Sequence, residues 1–270
     1  MNYLIFYIFL AFPFQQNIIF AETQNDTIKI TTAADLIALD VQNNIYAVDQ
    51  EQRITKYSSF GKKVNFYQNN RLGKIQQFDV ANPHKILVFY QDQQTIIFLD
   101  RNMLEVSRIE LNRFGLPEIS TAAVSNDNQT WIFDEFKNNL KKLDGQGNTR
   151  TLSESTIGLW GESLNPSKIR ERFNRVFLLD MEKGIFIFDN VGNAIGRIDL
   201  KGVTDFSVIN NNTLILNHSE NRISFYRLSD GLFSEVEWPE NLSNFDIIQM
   251  RMANNNILLS TKDELIFLRN

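Results

Sequence analysis

Short apolar segments recur along this chain, and most of them run into a polar turn. In the clearest one, Ile185-Phe186-Ile187-Phe188 passes into Asp189-Asn190-Val191-Gly192-Asn193. An apolar run followed by an acidic turn that contains Gly predicts a strand and a tight reversal. The same frame, with Ile or Leu three positions before Tyr, Phe or Leu, ends at Tyr57, Leu99, Leu143, Phe188, Tyr226 and Leu268.

These six positions are 38 to 45 residues apart. A repeat of about 40–45 residues of strands and turns is typical of a propeller blade. Each unit divides into four predicted strands, which in the first unit are residues 34–40, 44–49, 53–57 and 64–67. In the fifth and sixth units the predicted innermost strands begin near residues 205 and 245. Strands such as residues 86–90 are apolar throughout, which indicates a sheet that is covered on both faces.

The two ends of the repeat series complement each other. The sixth unit has no outer strand after residue 268, while residues 26–31 form a strand-like segment before the first unit. Pairing them would remove two open sheet edges. We therefore expect an all-β, six-bladed β-propeller in which the N-terminal strand completes the last blade, with residues 22–270 as a single domain.

Residues 1–21 form a segment of a different kind. They carry no charged side chain, and residues 3–14 are continuously apolar. This pattern predicts a signal peptide that is cleaved near Ala21. The alternative is an uncleaved anchor, although a membrane helix needs about 20 mainly apolar residues and Gln15, Gln16 and Asn17 interrupt the run. We expect a periplasmic or secreted protein that is soluble or peripherally associated with an envelope complex, with no transmembrane segment in the mature chain.

Composition excludes several classes of function. The net charge is -5 and no basic block occurs, which argues against binding to nucleic acid. The absence of cysteine excludes disulfides, a thiolate nucleophile and zinc held by cysteine. The two histidines, His84 and His218, fall in different units, so a site that needs both of them is not expected.

Two segments resemble known propeller sequences. Asn44-Ile45-Tyr46-Ala47-Val48-Asp49, followed by Arg53-Ile54, Lys56-Tyr57 and Gly61, is similar to repeats of the NHL/TolB-like type. Residues 79–87, leading into Thr95-Ile96-Ile97-Phe98-Leu99-Asp100, resemble a group of exported bacterial propeller proteins. The resemblance implies a six-bladed propeller and brings no catalytic residues with it.

The connections between blades are unusually rich in large side chains for loops. In a propeller they lie on the same face as the hairpins between second and third strands, so side chains from both would share one surface. Aromatic residues and Arg set among acidic loops are typical of a protein interface. The predicted partner-binding residues are Arg113, Phe114, Phe136, Leu159, Trp160 and Trp238. In the alternative, these aromatic side chains fold down onto the blades as local core.

A non-catalytic module that docks an envelope or extracellular protein is the favoured interpretation. The alternative function is a metal-dependent hydrolase of the gluconolactonase-like propeller type. Its candidate calcium ligands are Asp35, Asp205 and Asp246, each predicted at the start of an innermost strand. Carboxylate oxygens suit a hard cation such as calcium. The competing interpretation is that the three are separate carboxylates that cap local turns, since no loop has calcium-binding spacing.

Overall fold

The structure is a computed structural model that describes residues 26–269. Its strands form six antiparallel sheets of four strands each, arranged as the blades of a ring. In the lists below, the strands of each blade are given from the innermost to the outermost. Blade 1 contains β2 (Leu36–Leu39), β3 (Ile45–Val48), β4 (Arg53–Tyr57) and β5 (Lys63–Gln68). Blade 2 contains β6 (Gln77–Asp79), β7 (Ile86–Tyr90), β8 (Thr95–Leu99) and β9 (Glu105–Glu110).

The remaining blades follow the same order. Blade 3 contains β10 (Ile119–Val124), β11 (Thr130–Asp134), β12 (Asn139–Leu143) and β13 (Thr149–Thr151). Blade 4 contains β14 (Lys168–Arg172), β15 (Arg175–Asp180), β16 (Gly184–Asp189) and β17 (Ala194–Ile198). Blade 5 contains β18 (Val203–Asn210), β19 (Thr213–His218), β20 (Ile223–Arg227) and β21 (Phe233–Glu235). Blade 6 contains β22 (Gln249–Ala253), β23 (Asn256–Ser260), β24 (Glu264–Arg269) and β1 (Asp26–Thr31). Two helical turns lie between blades, a 3-10 helix at Leu111–Phe114 and α1 at Thr156–Trp160.

Burial explains why the middle strands are apolar throughout. Every residue of β7 and β8 is buried, because neighbouring blades pack face to face. One core cluster, for example, joins Leu87 and Phe89 of blade 2 to Ala122 and Ile132 of blade 3. The outermost strands are mostly exposed.

The N-terminal strand closes the ring, as the sequence predicts. β1 pairs antiparallel with β24, in register from Asp26 opposite Arg269 to Thr31 opposite Glu264. The turn between β4 and β5 of blade 1 then packs against β1, and a Cβ added to Gly61 would lie 2.6 Å from the side chain of Ile28. The same turn of blade 3 packs against Phe114 through Gly147. Blades 6 and 1 are therefore joined by the same kind of contact as blades 2 and 3.

Amide side chains between the second and third strands fasten each of several blades to the next. Asn138 accepts from the backbone N–H of Leu164 at 2.9 Å and donates to its carbonyl at 3.0 Å. Gln94 makes the equivalent pair of bonds to Ile119, both at 2.9 Å. Both amides lie at positive φ, where the side chain turns back under the next blade. These residues are structural.

The predicted start of the inner strand of blade 6 is wrong. β22 begins at Gln249, whereas residues 245–248 form turns in which Phe245 N–H bonds to the carbonyl of Leu242 and Ile247 N–H to that of Phe245. Ile247 is buried and Phe245 packs partly against the core of blade 6. The alternation of apolar and polar residues there reflects a turn packed on the core, and it resembles that of a strand.

The predicted signal peptide, residues 1–21, lies outside the described residues and stays a prediction. Within residues 26–269, no helix has the length and apolar character required to cross a membrane.

Candidate functional site

One face of the ring carries the hairpins between second and third strands together with the connections between blades. Each innermost strand also begins there. We call this the upper face. All of the predicted partner-binding residues belong to its loops, which places them on the same side of the ring.

Three of these residues are exposed. Phe136, in the hairpin between β11 and β12, is 71% exposed, and Phe114, at the end of the 3-10 helix, is 45% exposed. Arg113 extends from the same helix and forms an exposed ion pair with Glu110 at 2.7 Å. The ammonium of Lys137 lies 5.0 Å from the centre of the Phe136 ring.

Two further apolar side chains on this face were not predicted. Ile157 in α1 and Met181 in the hairpin between β15 and β16 are both exposed. The loops of blades 3 and 4 therefore expose several large apolar groups on the upper face. We refer to Phe114, Phe136, Ile157 and Met181 as the upper apolar set.

The other three predicted residues fold inward, as the competing interpretation expects. The ring of Trp160 meets those of Phe186 and Phe188 edge to face, with centroids 4.9 and 5.2 Å apart. Leu159 packs against the same core cluster, and Trp238 packs against the core of blade 6. All three are half-buried. Large apolar side chains gain more free energy from contact with the core than from exposure to water, so these three residues stabilise the blades.

The centre of the upper face opens into a cavity of about 400 Å³. The starts of the innermost strands and the tips of the hairpins form its wall. Charged or titratable side chains in this wall are Asp35, Lys74, Lys168, Asp205 and His218. A second cavity of about 60 Å³ lies further along the innermost strands and is lined in part by Asp79, Arg170, Arg172 and Arg251.

Asp205 lies at the centre of a buried ionic cluster. Its carboxylate accepts from Arg170 Nη1 at 2.6 Å and from Arg251 Nη2, and it also accepts from the backbone N–H of Phe206 at 2.8 Å. These partners come from the innermost strands of blades 4, 5 and 6. Lys168 of blade 4 is buried nearby and donates to the carbonyl of Gln76 at 3.0 Å. We call Lys168, Arg170, Asp205 and Arg251 the channel cluster.

The pKa values of the channel cluster follow from burial and from the neighbouring charges. Burial alone would raise the pKa of Asp205, but Arg170, Arg251 and Lys168 outweigh it and hold the pKa well below its ordinary value. Burial lowers the pKa of Lys168 to about 8, opposed by Asp205 and reinforced by the two guanidinium groups. Burial also lowers the pKa of Arg251 to about 10. At neutral pH the cluster therefore carries three cations and one anion.

The three carboxylates predicted to hold calcium occupy different surroundings. Asp205 is engaged by two guanidinium groups, and Asp35 is exposed at the wall of the upper cavity. Asp246 is exposed and lies before β22, because that strand begins later than predicted. Within residues 26–269 no three His, Cys, Asp or Glu side chains come together as a group that could hold a metal ion. The calcium-dependent hydrolase stays a prediction that no contact of these residues favours.

The two histidines lie apart, in blades 2 and 5. His218 is buried in the wall of the upper cavity, and its Nε2 is 2.8 Å from the hydroxyl of Ser224. Burial, with Arg222 nearby, lowers the pKa of His218, so the ring is neutral at neutral pH. Ser224 is fully buried, which keeps a substrate from reaching its hydroxyl.

Comparison with known proteins supports the fold. No protein-family model and no curated protein sequence matches the chain. Among solved structures, virginiamycin B lyase from Staphylococcus aureus superposes with a TM-score of 0.58 at 10% identity, over 90% of this chain and 98% of the lyase. The β-propeller domain of Cps50 (Swd1) from Myceliophteria thermophila gives a TM-score of 0.60 at 6% identity, over 91% and 99% of the two chains. The WD40 domain of Pan2 from Neurospora crassa gives 0.54 at 10% identity, over 89% and 90%.

At these identities the likeness shows a β-propeller and nothing of the chemistry. The three proteins include an enzyme and two domains that are described only as propeller or WD40 modules. The NHL/TolB-like type and the exported group suggested by the sequence stay predictions.

Proposed function

We propose that this protein is a non-catalytic binding module that docks a protein partner through its upper face. The observation that carries the proposal is the exposure of Phe136 and Phe114 on that face, next to Arg113. Aromatic residues and Arg are the types that most often dominate binding energy at protein interfaces.

The packing of its own blade does not account for the exposed side chain of Phe136. Its neighbours Trp131 and Phe133 are fully buried in the adjacent strand, and Phe136 points outward from a hairpin that a polar residue would close equally well. A phenyl ring that is 71% exposed forgoes most of its burial energy in the free protein. Covering it in a complex would recover that energy.

The surroundings of the upper apolar set suit the edge of an interface. Phe136 is flanked by Glu135 and Lys137, and Phe114 follows the ion pair of Arg113 with Glu110. An apolar centre with a charged margin favours docking in a defined orientation, since the charges remain hydrated while the rings become buried.

The proposed partner is an envelope or extracellular protein. This part of the proposal rests on the uncharged, apolar residues 1–21. Under this proposal the protein works in the periplasm or outside the cell.

Quantitative capture from envelope extract tests the docking face. The double variant Phe114→Ala, Phe136→Ala is compared with wild type and with Phe60→Ala, a control in which an equally exposed Phe is removed from the turn between β4 and β5. Removing hot-spot side chains costs about 2 kcal/mol or more, which is about thirtyfold in affinity. A partner should be recovered by wild type and by the control, and lost by the double variant under conditions in which that variant is folded. Equal recovery by all three proteins would contradict the proposal.

A further inference from the structure

The channel cluster has more positive charge than its own residues neutralise. Lys168, Arg170 and Arg251 surround one carboxylate, that of Asp205. Lys168 and Arg251 are 8% and 6% exposed, so bulk water cannot hydrate them freely. A buried charge without a paired counter-charge is costly, so a ligand that brings negative charge would be favoured here.

Arg251 also has an unused hydrogen-bond donor. Its Nη1 donates to the carbonyl of Met250 at 2.9 Å and its Nη2 to Asp205. Within residues 26–269 its Nε–H has no partner, although the atom is buried. The side chain lines the cavity of about 60 Å³. An unpaired guanidinium N–H on a side chain that lines a cavity is a donor that an acceptor from outside the chain could satisfy.

The other carboxylates near the cluster are already engaged. Asp79 lines the same cavity, but its oxygens accept from the backbone N–H groups of Ala81 and Val124 at 2.8 and 3.1 Å. Glu171, which follows Arg170 on β14, accepts from Ser125 at 2.6 Å and from the indole N–H of Trp131 at 2.5 Å. Neither can turn towards Arg251 without leaving buried donors unpaired.

We propose that the channel binds a small oxyanion, of the carboxylate or phosphate class, at Arg251 and Arg170, which both line this cavity. The planar guanidinium fork matches two oxygens of such an anion. The cavity of about 60 Å³ exceeds the roughly 10–15 Å³ that one water requires, so it has room for more than a single water. The site lies inside the ring and does not depend on the upper apolar set.

Titration calorimetry and thermal melting of the wild-type protein test the site. Sodium phosphate and sodium acetate are each compared with sodium chloride at equal ionic strength. One of the two oxyanions should bind saturably and raise the melting temperature as its concentration exceeds the dissociation constant, beyond the effect of chloride. The two oxyanion arms distinguish phosphate from carboxylate as the preferred ligand.

Three variants locate the binding. Arg251→Lys keeps the charge but loses the fork and should weaken binding by about tenfold or more. Asp205→Asn removes the competing carboxylate and should bind the oxyanion more tightly, a change that simple damage to the fold would not produce. Arg227→Lys is the control, since Arg227 forms a comparable pair with Asp230 on the outside of blade 5, and it should bind as wild type does.

Two results would overturn the proposal. One is a folded wild type on which phosphate and acetate act no differently from chloride. The other is oxyanion binding that remains at wild-type strength in Arg251→Lys. If Arg251→Lys does not fold, Arg170→Lys takes its place and must weaken the same binding, and unchanged binding in that variant would equally exclude the channel.

Discussion

Replacing Asp205 with Asn should be among the most damaging single substitutions in the channel. The change keeps the shape of the side chain and removes its charge. Arg170 lies 2.6 Å from one carboxylate oxygen and Arg251 donates to the other, while Lys168 stands close enough to influence the same pKa. After the substitution Arg170 and Arg251 lose the carboxylate with which they are paired.

The size of the effect follows from the burial of the pair. Removing one partner of a buried ion pair typically costs about 3–5 kcal/mol, because the other charge stays buried without compensation. For a chain of this length, that loss corresponds to a melting temperature lower by about 10 °C. Asp230→Asn is a matched control, because Asp230 pairs with Arg227 at 2.6 Å in an exposed position. Its melting temperature should stay close to that of wild type.

The pH dependence provides a second signature. Because the pKa of Asp205 is held below its ordinary value, its contribution is fully present above the unfolded pKa of about 4 and is lost as the pH falls through the folded pKa. The difference in unfolding free energy between wild type and Asp205→Asn should therefore be constant near neutral pH and shrink below about pH 4. Urea unfolding monitored by tryptophan fluorescence measures it. Equal urea midpoints for the two proteins at neutral pH would refute the account of the cluster.

Four further predictions concern the ring and its charges. Deleting residues 26–31 should lower the melting temperature severely, because β24 loses its outer partner strand, β1, along its whole length. A truncated protein that melts like the full chain would contradict closure. Gly147→Ala should destabilise the fold, since the new Cβ would lie 2.1 Å from the Phe114 ring at a φ of +91°, and Phe114→Ala should relieve part of the loss in a double-mutant cycle. Gln94→Ala should cost about 1–3 kcal/mol in urea unfolding by leaving both polar groups of Ile119 unpaired, and a midpoint equal to that of wild type would count against the amide contact. Because the folded pKa of Lys168 is about 8 and the unfolded value about 10.4, wild-type stability should rise between those pH values, and Lys168→Met should lack that part of the rise.

The sequence was sufficient for the blades because their strands are short, apolar and bounded by turn residues. The limits predicted for β4 and β7 agree with the structure to the residue. Residues 245–248 were assigned wrongly as a strand because a bent segment that buries Ile247 and half-buries Phe245 has the same pattern of buried side chains as one. Pattern alone does not separate the two, since it reports which side chains are buried and not how the backbone is bonded.

The channel cluster was harder to predict. Arg170, Asp205 and Arg251 are 35 and 46 residues apart in sequence, and they meet only because the ring places three innermost strands side by side. A signal was present, since charged residues occur within the innermost strands, four of them in β14 alone. Identifying their partners requires the register of each strand. Similarly, Trp160 and Phe136 look alike as loop aromatics, and only the packing of Trp160 on Phe186 and Phe188 distinguishes them.

Photo-crosslinking in the native cell tests the proposed docking face most directly. A photoreactive amino acid replaces Phe136 on the upper face, or Phe173 in the turn between β14 and β15 on the opposite face, where the native side chain is also exposed. The account predicts a discrete crosslinked protein from position 136 and none from position 173, with both variants folded. Crosslinks of the same protein from position 173 alone, or from neither position, would contradict docking through the upper face.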